Sequence, residues 1–274
     1  MKLKIADEDE IDISTITSHL EFLGDDTRPA ITNNYEENSG LDGSVATFAT
    51  FTKTTVTANF ALKFGDYYDF TLAKHDIYAA FMNKKLMRIR TDAEPYIVKY
   101  VRAGNFEIKP TEDRSHLALF SIPFDNPSGY KYSMLRSDYL NAFSEDGWQF
   151  GMNIPSDVDL SYHFKASKFS IYNASDIPID PYYQRHDLKI IIQFKGDSLQ
   201  LTNETTNTSW KYEKPSDGVE TIILDGINTS LNGNPASANT DYGNLTLNKG
   251  WNSIVAAGAT TVDITFSFPF IYLG

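Results

Sequence analysis

The sequence predicts a mainly β protein with two domains and a single helix. Aromatic residues make up 14% of its 274 positions, and aromatic side chains favour half-buried pleated sheets. Apolar and polar residues alternate over short stretches, as from Val56 to Phe64, and this period of two is that of a strand. Turn residues separate these stretches often enough to favour antiparallel sandwiches.

The first half is predicted to contain a strand over residues 54–64, then the helix, then a meander. The helix lies within GDYYDFTLAKHDIYAAFMNKK, and Thr71 is its expected N-cap. Its buried stripe is expected to run from Phe70 through Ile77, Tyr78 and Phe81 to Met82. The strands of the meander are expected at 86–91, 96–102, 105–109 and 116–124.

A domain boundary is predicted near residues 125–137. The segment PFDNPSGY, which begins at Pro123, contains two prolines and a glycine and interrupts the strand pattern. The chain is therefore expected to divide into an N-terminal domain of residues 1–134 and a C-terminal domain of residues 135–274.

The second half is predicted to be an antiparallel sandwich of short strands. Two of its turns are assigned to Lys195-Gly196-Asp197 and Ala257-Gly258-Ala259, because glycine is favoured where the backbone turns. The strands are expected at 148–152, 159–172, 187–194, 198–203, 208–213, 219–225, 244–247, 252–256 and 261–273.

The composition excludes several classes of function. Cysteine is absent, which excludes disulfides, thiolate zinc sites and cysteine nucleophiles. The net charge of −12 disfavours nucleic-acid binding, since such binding depends on Lys and Arg contacts to phosphate. The N-terminus has no apolar signal core, and no stretch approaches the roughly 20 apolar residues of a membrane span. We therefore expect synthesis and folding in a cytosol, with no membrane insertion.

The sequence contains no recognisable catalytic motif. It has no phosphate-binding Gly-rich loop, no Gly-x-Ser-x-Gly elbow and no His-Glu-x-x-His, and its five histidines never stand at metal-ligand spacing. The run Asp7–Asp12 is interpreted as a solvated acidic N-terminus, and Arg185-His186-Asp187 as a surface turn. No catalytic residue, metal or cofactor is expected, although the 36 carboxylates leave a glycosidase-like acid/base pair open.

One basic cluster stands out in this acidic chain. Lys84, Lys85, Arg88 and Arg90 lie within KKLMRIR, and strand alternation places the two arginines on one face. The cluster is interpreted either as a contact with an acidic patch of a neighbouring copy or as an ordinary solvated sheet face.

The three tryptophans are candidates for contact with a glycan or a partner. Trp148, Trp210 and Trp251 all lie in the C-terminal half, and aromatic platforms on sandwiches stack on sugar rings. The alternative interpretation is that they fill the sandwich core or an interface.

The order and spacing of several segments resemble the distal tail proteins of long-tailed phages that infect Gram-positive bacteria, the Sipho-tail family. The resembling segments are, in order, the Gly-x-Asp-Gly of Gly40–Gly43, the helix of Asp66–Met82, the strand Leu86–Arg90, Tyr132-Ser133, the strand Phe169–Asn173, its continuation Pro178–Phe194, the turn Leu245–Asn252 and the aromatic close Phe266–Leu273. Lys249 stands where the family commonly has proline. The similarity extends from about Gly40 to Gly274.

The resemblance implies a fold and a function. The N-terminal domain would be a tail-tube-like β-barrel or sandwich with one helix, and the C-terminal domain a galectin-like antiparallel β-sandwich. The protein would be a structural hub and not an enzyme, a homohexamer whose ring connects the tail tube to the host-adsorption apparatus. Its place would be the virion tail tip, after assembly in the host cytoplasm.

The resemblance also implies partners and contact residues. The partners would be the tail tube protein, the tail-tip protein and receptor-binding proteins, and DNA would pass an acidic lumen without specific binding. Asp42 joins Lys84, Lys85, Arg88 and Arg90 as a candidate ring-interface residue. The alternative function is a carbohydrate-binding module that recognises host cell-wall glycan through the C-terminal sandwich.

Overall fold

The computed structural model describes residues 1–40, 42–139, 147–155 and 158–274. The described chain forms two compact units, one of residues 1–131 with 273–274 and one of residues 132–272. The boundary predicted between residues 134 and 135 lies close to this division. Within the described ranges, no helix combines the length and the apolar character needed to cross a membrane.

The first unit is mainly β with one helix, as predicted. Its elements are β1 (Lys2–Ile5), β2 (Ile11–Asp12), β3 (Leu20–Thr27), β4 (Ile31–Glu36), β5 (Val45–Phe51), β6 (Thr54–Lys63), α1 (Tyr67–Phe81), β7 (Met87–Arg90), β8 (Ile97–Ala103) and β9 (Leu117–Asn126). Seven of these strands form an antiparallel sheet in the order β2-β1-β7-β8-β9-β6-β3, while β4 and β5 pair with each other.

The core of the first unit lies between its sheet and α1. The alternation from Val56 to Leu62 turns one face of β6 inward, and these side chains are almost fully buried. Phe81 of α1 lies with its ring centroid 6.0 Å from that of Phe60 and 5.7 Å from that of Phe124 on β9. The helix therefore covers the apolar face of the neighbouring strands β6 and β9.

The helix agrees with the predicted segment Asp66–Met82, but the roles assigned to Thr71 and Met82 were wrong. The N-cap is Asp66, whose carboxylate accepts a hydrogen bond from the Asp69 backbone N–H at 2.9 Å, whereas Thr71 lies inside the helix and donates to the Tyr67 carbonyl. The helix ends at Phe81, and Met82 is 51% exposed instead of buried. The strand predicted at 105–109 is also absent; that segment is irregular.

The second unit is built from short strands around two long ones. Its strands are β10 (Lys131–Arg136), β11 (His163–Phe164), β12 (Lys168–Asn173), β13 (Lys189–Asn203), β14 (Thr208–Tyr212), β15 (Ser216–Asp217), β16 (Ile222–Asp225), β17 (Asn228–Leu231), β18 (Asn234–Pro235), β19 (Gly250–Ser267) and β20 (Pro269–Tyr272). One sheet runs β11-β19-β13-β16-β17-β18, with β12 added to β19 and with β14 and β15 added to β13; β10 pairs with β20.

The long strands β13 and β19 belong to both layers of an antiparallel sandwich. Near one end β16 and β11 flank them, and near the other end β14 and β12 do. The register between β13 and β19 shifts at Lys195/Gly196 and again before Gln200. Strands that switch sheets at such bulges make the corners of a sandwich. The turns predicted at 195–197 and 257–259 are therefore wrong: both segments are bends within continuous strands.

Two glycines make this corner possible. Gly258 has φ +88°, and a Cβ there would lie 2.9 Å from the Ser198 carbonyl oxygen. Gly196 has φ +155°, and its Cβ would lie 2.9 Å from the Gly258 oxygen. Only glycine combines positive φ with so close a backbone approach. We call Gly196 and Gly258 the corner glycines.

The core of the second unit is aromatic. Phe169 of β12 packs on Phe266 of β19 with ring centroids 6.1 Å apart, and Phe164 stacks on Phe169 at 4.1 Å. The terminal strand β20 is buried at Phe270, Ile271 and Tyr272. The strands predicted at 148–152 and 244–247 are absent apart from a single bridge between Leu247 and Ile179.

Candidate assembly surfaces

Most of the predicted basic cluster is paired with carboxylates of its own chain. The Arg88 guanidinium donates to Glu10 Oε2 at 2.7 Å, and Arg90 Nε donates to Glu10 Oε1 at 3.0 Å while its Nη2 also bonds Glu10. Lys85 lies 2.7 Å from Glu8. The hydrogen bonds from Arg90, and then from Arg88, hold the pKa of Glu10 below its ordinary value. The acidic partner expected from a neighbouring copy is thus present within the chain.

The same contacts correct the interpretation of the acidic N-terminal run. Asp12 pairs with Lys2 at 2.9 Å and accepts a hydrogen bond from the Ser14 backbone N–H at 3.0 Å, so that its pKa is lowered. With Glu10 clamped by two arginines, the segment 7–12 is not simply a solvated terminus. Its strand β2 is pinned to the sheet by charge as well as by backbone pairing to β1.

Two of the predicted ring-interface residues are not part of this network of ion pairs. Lys84 is exposed in the connection between α1 and β7. Asp42 is exposed in the loop that joins β4 to β5. The structure therefore places Asp42 on a different element from the basic cluster.

The hairpin of β4 and β5 exposes its apolar side chains. The two strands pair antiparallel from Ile31–Phe51 to Glu36–Val45, and in the described part of the chain they form a two-stranded sheet of their own. Phe48 is 62% exposed, Tyr35 59% and Val45 53%. A two-stranded hairpin of this kind is marginally stable in water without further cover.

A bulge gives the hairpin two apolar faces. The register shifts between Asn34 and Tyr35, where Thr47 of β5 has no partner, and this shift places Val45 on the same face as Phe48. Ile31, Tyr35 and Phe51 lie on the other face, where the Phe51 ring meets that of Tyr130 at 5.7 Å. Neither face can be turned to water without exposing large apolar groups. The outer edges of β4 and β5 are also open to strand addition in the described chain.

Sequence reasoning missed this hairpin. It placed the first strand at residue 54, because alternation of apolar and polar residues identifies a strand only when one face is buried and the other is wet. The available signal was different: β-branched and aromatic residues on both sides of the glycine pair Gly40 and Gly43.

The structure separates the three tryptophans. Trp210 is 1% exposed, so its prediction as an exposed contact residue was wrong; it packs beside Tyr212 in the sandwich core. Trp148 is half-buried, with its ring 5.0 Å from that of Phe150. Trp251 is 49% exposed and lies edge-on to Tyr172.

Buried asparagines account for two of the segments that resemble the tail-protein family. Asn203 donates from Nδ2 to Asn252 Oδ1 at 3.0 Å and to the Thr246 carbonyl at 2.7 Å. Asn173 donates to the Leu247 carbonyl at 3.3 Å. All three asparagines are fully buried. They hold the irregular segment 245–249 against the sheet, so these motifs serve the fold.

The titratable groups around His186 serve the local structure. Among the described residues, no group of three or more His, Asp or Glu side chains is placed to hold a metal ion. His186 accepts a hydrogen bond from the Asp180 backbone N–H at 3.2 Å, and burial lowers its pKa. Its neighbour Asp187 pairs with Arg136. The segment 185–187 thus anchors a loop.

The first unit matches a known family. Residues 9–126 match the model of the Sipho_tail family, described as the phage tail protein RIFT-related domain. The match covers 118 of the 274 residues, and we refer to this matched segment as the Sipho_tail domain. This match confirms the resemblance inferred from the sequence. The matched segment begins at residue 9, whereas the resemblance was placed from about Gly40 onward. The hairpin β4–β5, α1 and the basic cluster all lie within the Sipho_tail domain.

The whole chain shares its fold with a solved tail protein. The crystal structure of Dit (gp 19.1) of phage SPP1, described as a paradigm of the hub adsorption apparatus in phages infecting Gram-positive bacteria, matches with a TM-score of 0.67 at 12% identity. The match covers 98% of both chains. This likeness establishes the fold beyond the Sipho_tail domain.

Other comparisons add less. Structures of the phage p2 baseplate in its activated conformation, with Sr and with Ca, match with TM-scores of 0.44 and 0.43 at 12% identity over 97% of both chains. No curated protein sequence matches the chain.

Proposed function

We propose that this protein is a structural hub of a phage tail tip, six copies of which form a ring that connects the tail tube to the host-adsorption apparatus. The Sipho_tail domain and the shared fold with SPP1 Dit support a tail component. In this proposal the protein is not an enzyme. It assembles in the host cytoplasm, and tail tube, tail-tip and receptor-binding proteins contact its two domains, residues 1–134 and 135–274.

The observation that carries the proposal is the hairpin β4–β5. Its apolar side chains are exposed on both faces, and within the described residues its outer edges pair with no further strand, as expected of a strand pair that a neighbour completes. We assign a second copy of the chain as the neighbour of this hairpin, because every protomer of a ring lies next to another copy. When the hairpin of one copy docks on a different surface of the next, the contact is head-to-tail, and such contacts close into rings.

The charges of the chain fit a ring around a DNA channel. The net charge is −12, and most of the basic cluster is neutralised by Glu8 and Glu10. A protein surface with few unpaired cations has little to bind phosphate, so DNA would pass without specific contacts. Asp42, on the hairpin loop, and the exposed Lys84 are the predicted interface residues best placed to meet a neighbouring copy.

The test is the mass and shape of the purified full-length chain. Electron microscopy should show rings with six-fold symmetry, and sedimentation should give six copies per particle. Phe48→Glu should abolish both, because it places a charge on the apolar face of the hairpin. Tyr242→Glu is the matched control, since Tyr242 is 73% exposed but lies in the other unit.

Two outcomes would contradict the proposal. A wild-type chain that stays monomeric at high concentration, alone and with its tail tube protein, would remove the ring. Rings that form equally well with Phe48→Glu would remove the hairpin as the contact that closes them.

A further inference from the structure

Trp251 forms a fixed aromatic platform on the surface of the second unit. It lies opposite Tyr172 in the register of β12 and β19, and the two rings meet edge to face with centroids 5.1 Å apart. The Tyr172 hydroxyl donates to the Asn153 carbonyl at 3.1 Å, which fixes that ring. Trp251 is nevertheless 49% exposed, so the platform presents indole surface to solvent.

The backbone beneath the platform is held by a buried side chain. Asn252 is fully buried; its Oδ1 accepts from the Asn248 backbone N–H at 2.8 Å, and its Nδ2 donates to the Gly250 carbonyl at 3.0 Å. The turn that carries both Lys249 and Trp251 is therefore fixed before any ligand arrives. Such preorganisation reduces the entropy lost on binding.

Polar groups surround the platform on the side of this turn. Lys249 Nζ lies 3.5 Å from Asp176 Oδ1, and the Asn153 amide donates to the same oxygen at 2.9 Å. Along the strands, the next cross-strand pair on the same face is Ser170 with Ser253. The aromatic plane thus has an ammonium, a carboxylate, an amide and hydroxyls as its neighbours.

We propose that Trp251 and its polar neighbours bind a pyranose residue of a polysaccharide. A sugar ring has one face of C–H groups, which stacks on an indole, and a rim of hydroxyls, which hydrogen-bond to amides, carboxylates and ammonium groups. The indole supplies the first contact, while Lys249, Asp176 and Asn153 supply the second.

A protein partner fits this surface less well. The centre of a protein interface is a cluster of apolar and aromatic anchors from which water is excluded. Here the pair Trp251 and Tyr172 is bordered by serines and by an ion pair, Glu204 with Lys168, which is open to solvent. The site is complete in one copy of the chain, so glycan binding does not depend on the ring.

The experiment screens the full-length chain on an array of bacterial surface polysaccharides and then measures the affinity of the best glycan by titration calorimetry. Trp251→Ala should lower the affinity about tenfold or more, because the stacking surface is lost. Lys249→Ala should weaken binding less, since it removes only part of the hydrogen-bonding rim. Tyr183→Ala is the control: Tyr183 is 80% exposed in the same unit, and its loss should leave the affinity unchanged.

Each result decides the proposal. Binding that is lost in Trp251→Ala and kept in Tyr183→Ala, with unchanged melting temperatures, supports it. Binding to none of the glycans, or equal binding by Trp251→Ala and the wild type, overturns it. If Trp251→Ala instead prevents co-purification with another tail protein and the wild type binds no glycan, the platform is a protein contact and the proposal is wrong.

Discussion

Two antiparallel ribbons in this molecule differ in whether their apolar side chains are buried or exposed. The ribbon of β13 and β19 has strands on both of its edges, and it bends at the corner glycines so that Ile192, Phe194 and Ile264 are buried. The hairpin of β4 and β5 is also bulged and also rich in aromatic and β-branched residues. In the part of the chain that the structure describes, its outer edges pair with no further strand, and both of its faces carry exposed apolar groups.

The two ribbons differ in whether other parts of the same ribbon cover their apolar side chains. The ribbon of β13 and β19 buries its own apolar side chains, because its bend places its two ends in two layers that pack on each other. The second cannot do so with only six cross-strand pairs, and in the proposed ring a neighbouring copy would cover it. Substitutions in the first ribbon should therefore change folding stability, and those in the second should change assembly.

The largest effect on stability is expected at the corner. Gly258→Ala should destabilise the second unit by about 3 kcal/mol, because it combines positive φ with a backbone contact that cannot yield. Gly233→Ala is the matched control: its φ of +82° is close to the +88° of Gly258, but no atom lies within 4 Å of the added Cβ. That control should cost only about 1 kcal/mol.

Tryptophan fluorescence during urea unfolding measures this effect on one unit alone, since all three tryptophans lie in residues 132–272. Equal losses for Gly258→Ala and Gly233→Ala would show that the close approach at the corner contributes nothing and that the ribbon bends without steric need.

A smaller loss is expected at the buried asparagines beside this ribbon. Asn203→Leu should destabilise the second unit by about 2 kcal/mol, since the Thr246 carbonyl, the Thr205 N–H and Asn252 would lose a buried partner. Asn228→Leu, at an exposed position of β17, is the control and should change little. The same fluorescence measurement reports both; a neutral Asn203→Leu would mean that the segment 245–249 is held by its leucines alone.

The ion pairs of Glu10 in the Sipho_tail domain should contribute less to the free energy of unfolding, and only at a pH where Glu10 is ionised. Glu10→Gln should destabilise the first unit by about 1 kcal/mol at neutral pH, because Glu10 accepts charge-assisted hydrogen bonds from Arg88 and Arg90. The folded-state pKa of Glu10 lies below its ordinary 4.5, so this stabilisation is complete above pH 4.5 and is lost as the pH falls through the folded-state value.

Hydrogen exchange of the peptides that contain β1, β2 and β7 measures this difference as a function of pH. Glu8→Gln is the control, since Glu8 and Lys85 are both more than half exposed and an exposed pair contributes little. A difference between wild type and Glu10→Gln that does not shrink as the pH falls below 4.5 would show that the effect is one of packing and not of charge.

The prediction from sequence was best for segments in which buried side chains recur at a regular interval along the chain. The strand β6 was evident because every second residue enters the core. The corner was misread because a glycine bend within a long strand and a turn between two short strands have the same local signature, and only the pairing of β13 with β19 distinguishes them. The Sipho-tail resemblance supplied what periodicity could not, namely the family whose model matches residues 9–126.

The site was harder to predict than the fold for two physical reasons. The basic cluster was visible, but its partners Glu8 and Glu10 are distant in sequence, and only folding brings them together. The hairpin was missed because large apolar groups lie on both of its faces, so its sequence lacks the apolar–polar alternation of a half-buried strand. A charge cluster seen in the sequence can therefore be mistaken for a partner surface when its charges pair within the chain. A strand pair with apolar groups on both faces is overlooked.

The smallest effect on stability, and the one that best separates the two ribbons, is expected at Phe48. In the monomer, Phe48→Ser should change the free energy of unfolding of the first unit by less than about 0.5 kcal/mol, because a side chain that is 62% exposed has little burial to lose. Phe60→Ser, on the buried face of β6, is the contrasting variant and should cost several kcal/mol, about 3 or more. Hydrogen exchange at a concentration where the chain is monomeric gives both values. If Phe48→Ser is as costly as a core substitution there, the hairpin packs on its own chain, and the surface assigned to a neighbouring copy does not exist; if it is neutral in the monomer yet prevents ring formation, the binding energy of Phe48 is spent entirely on assembly.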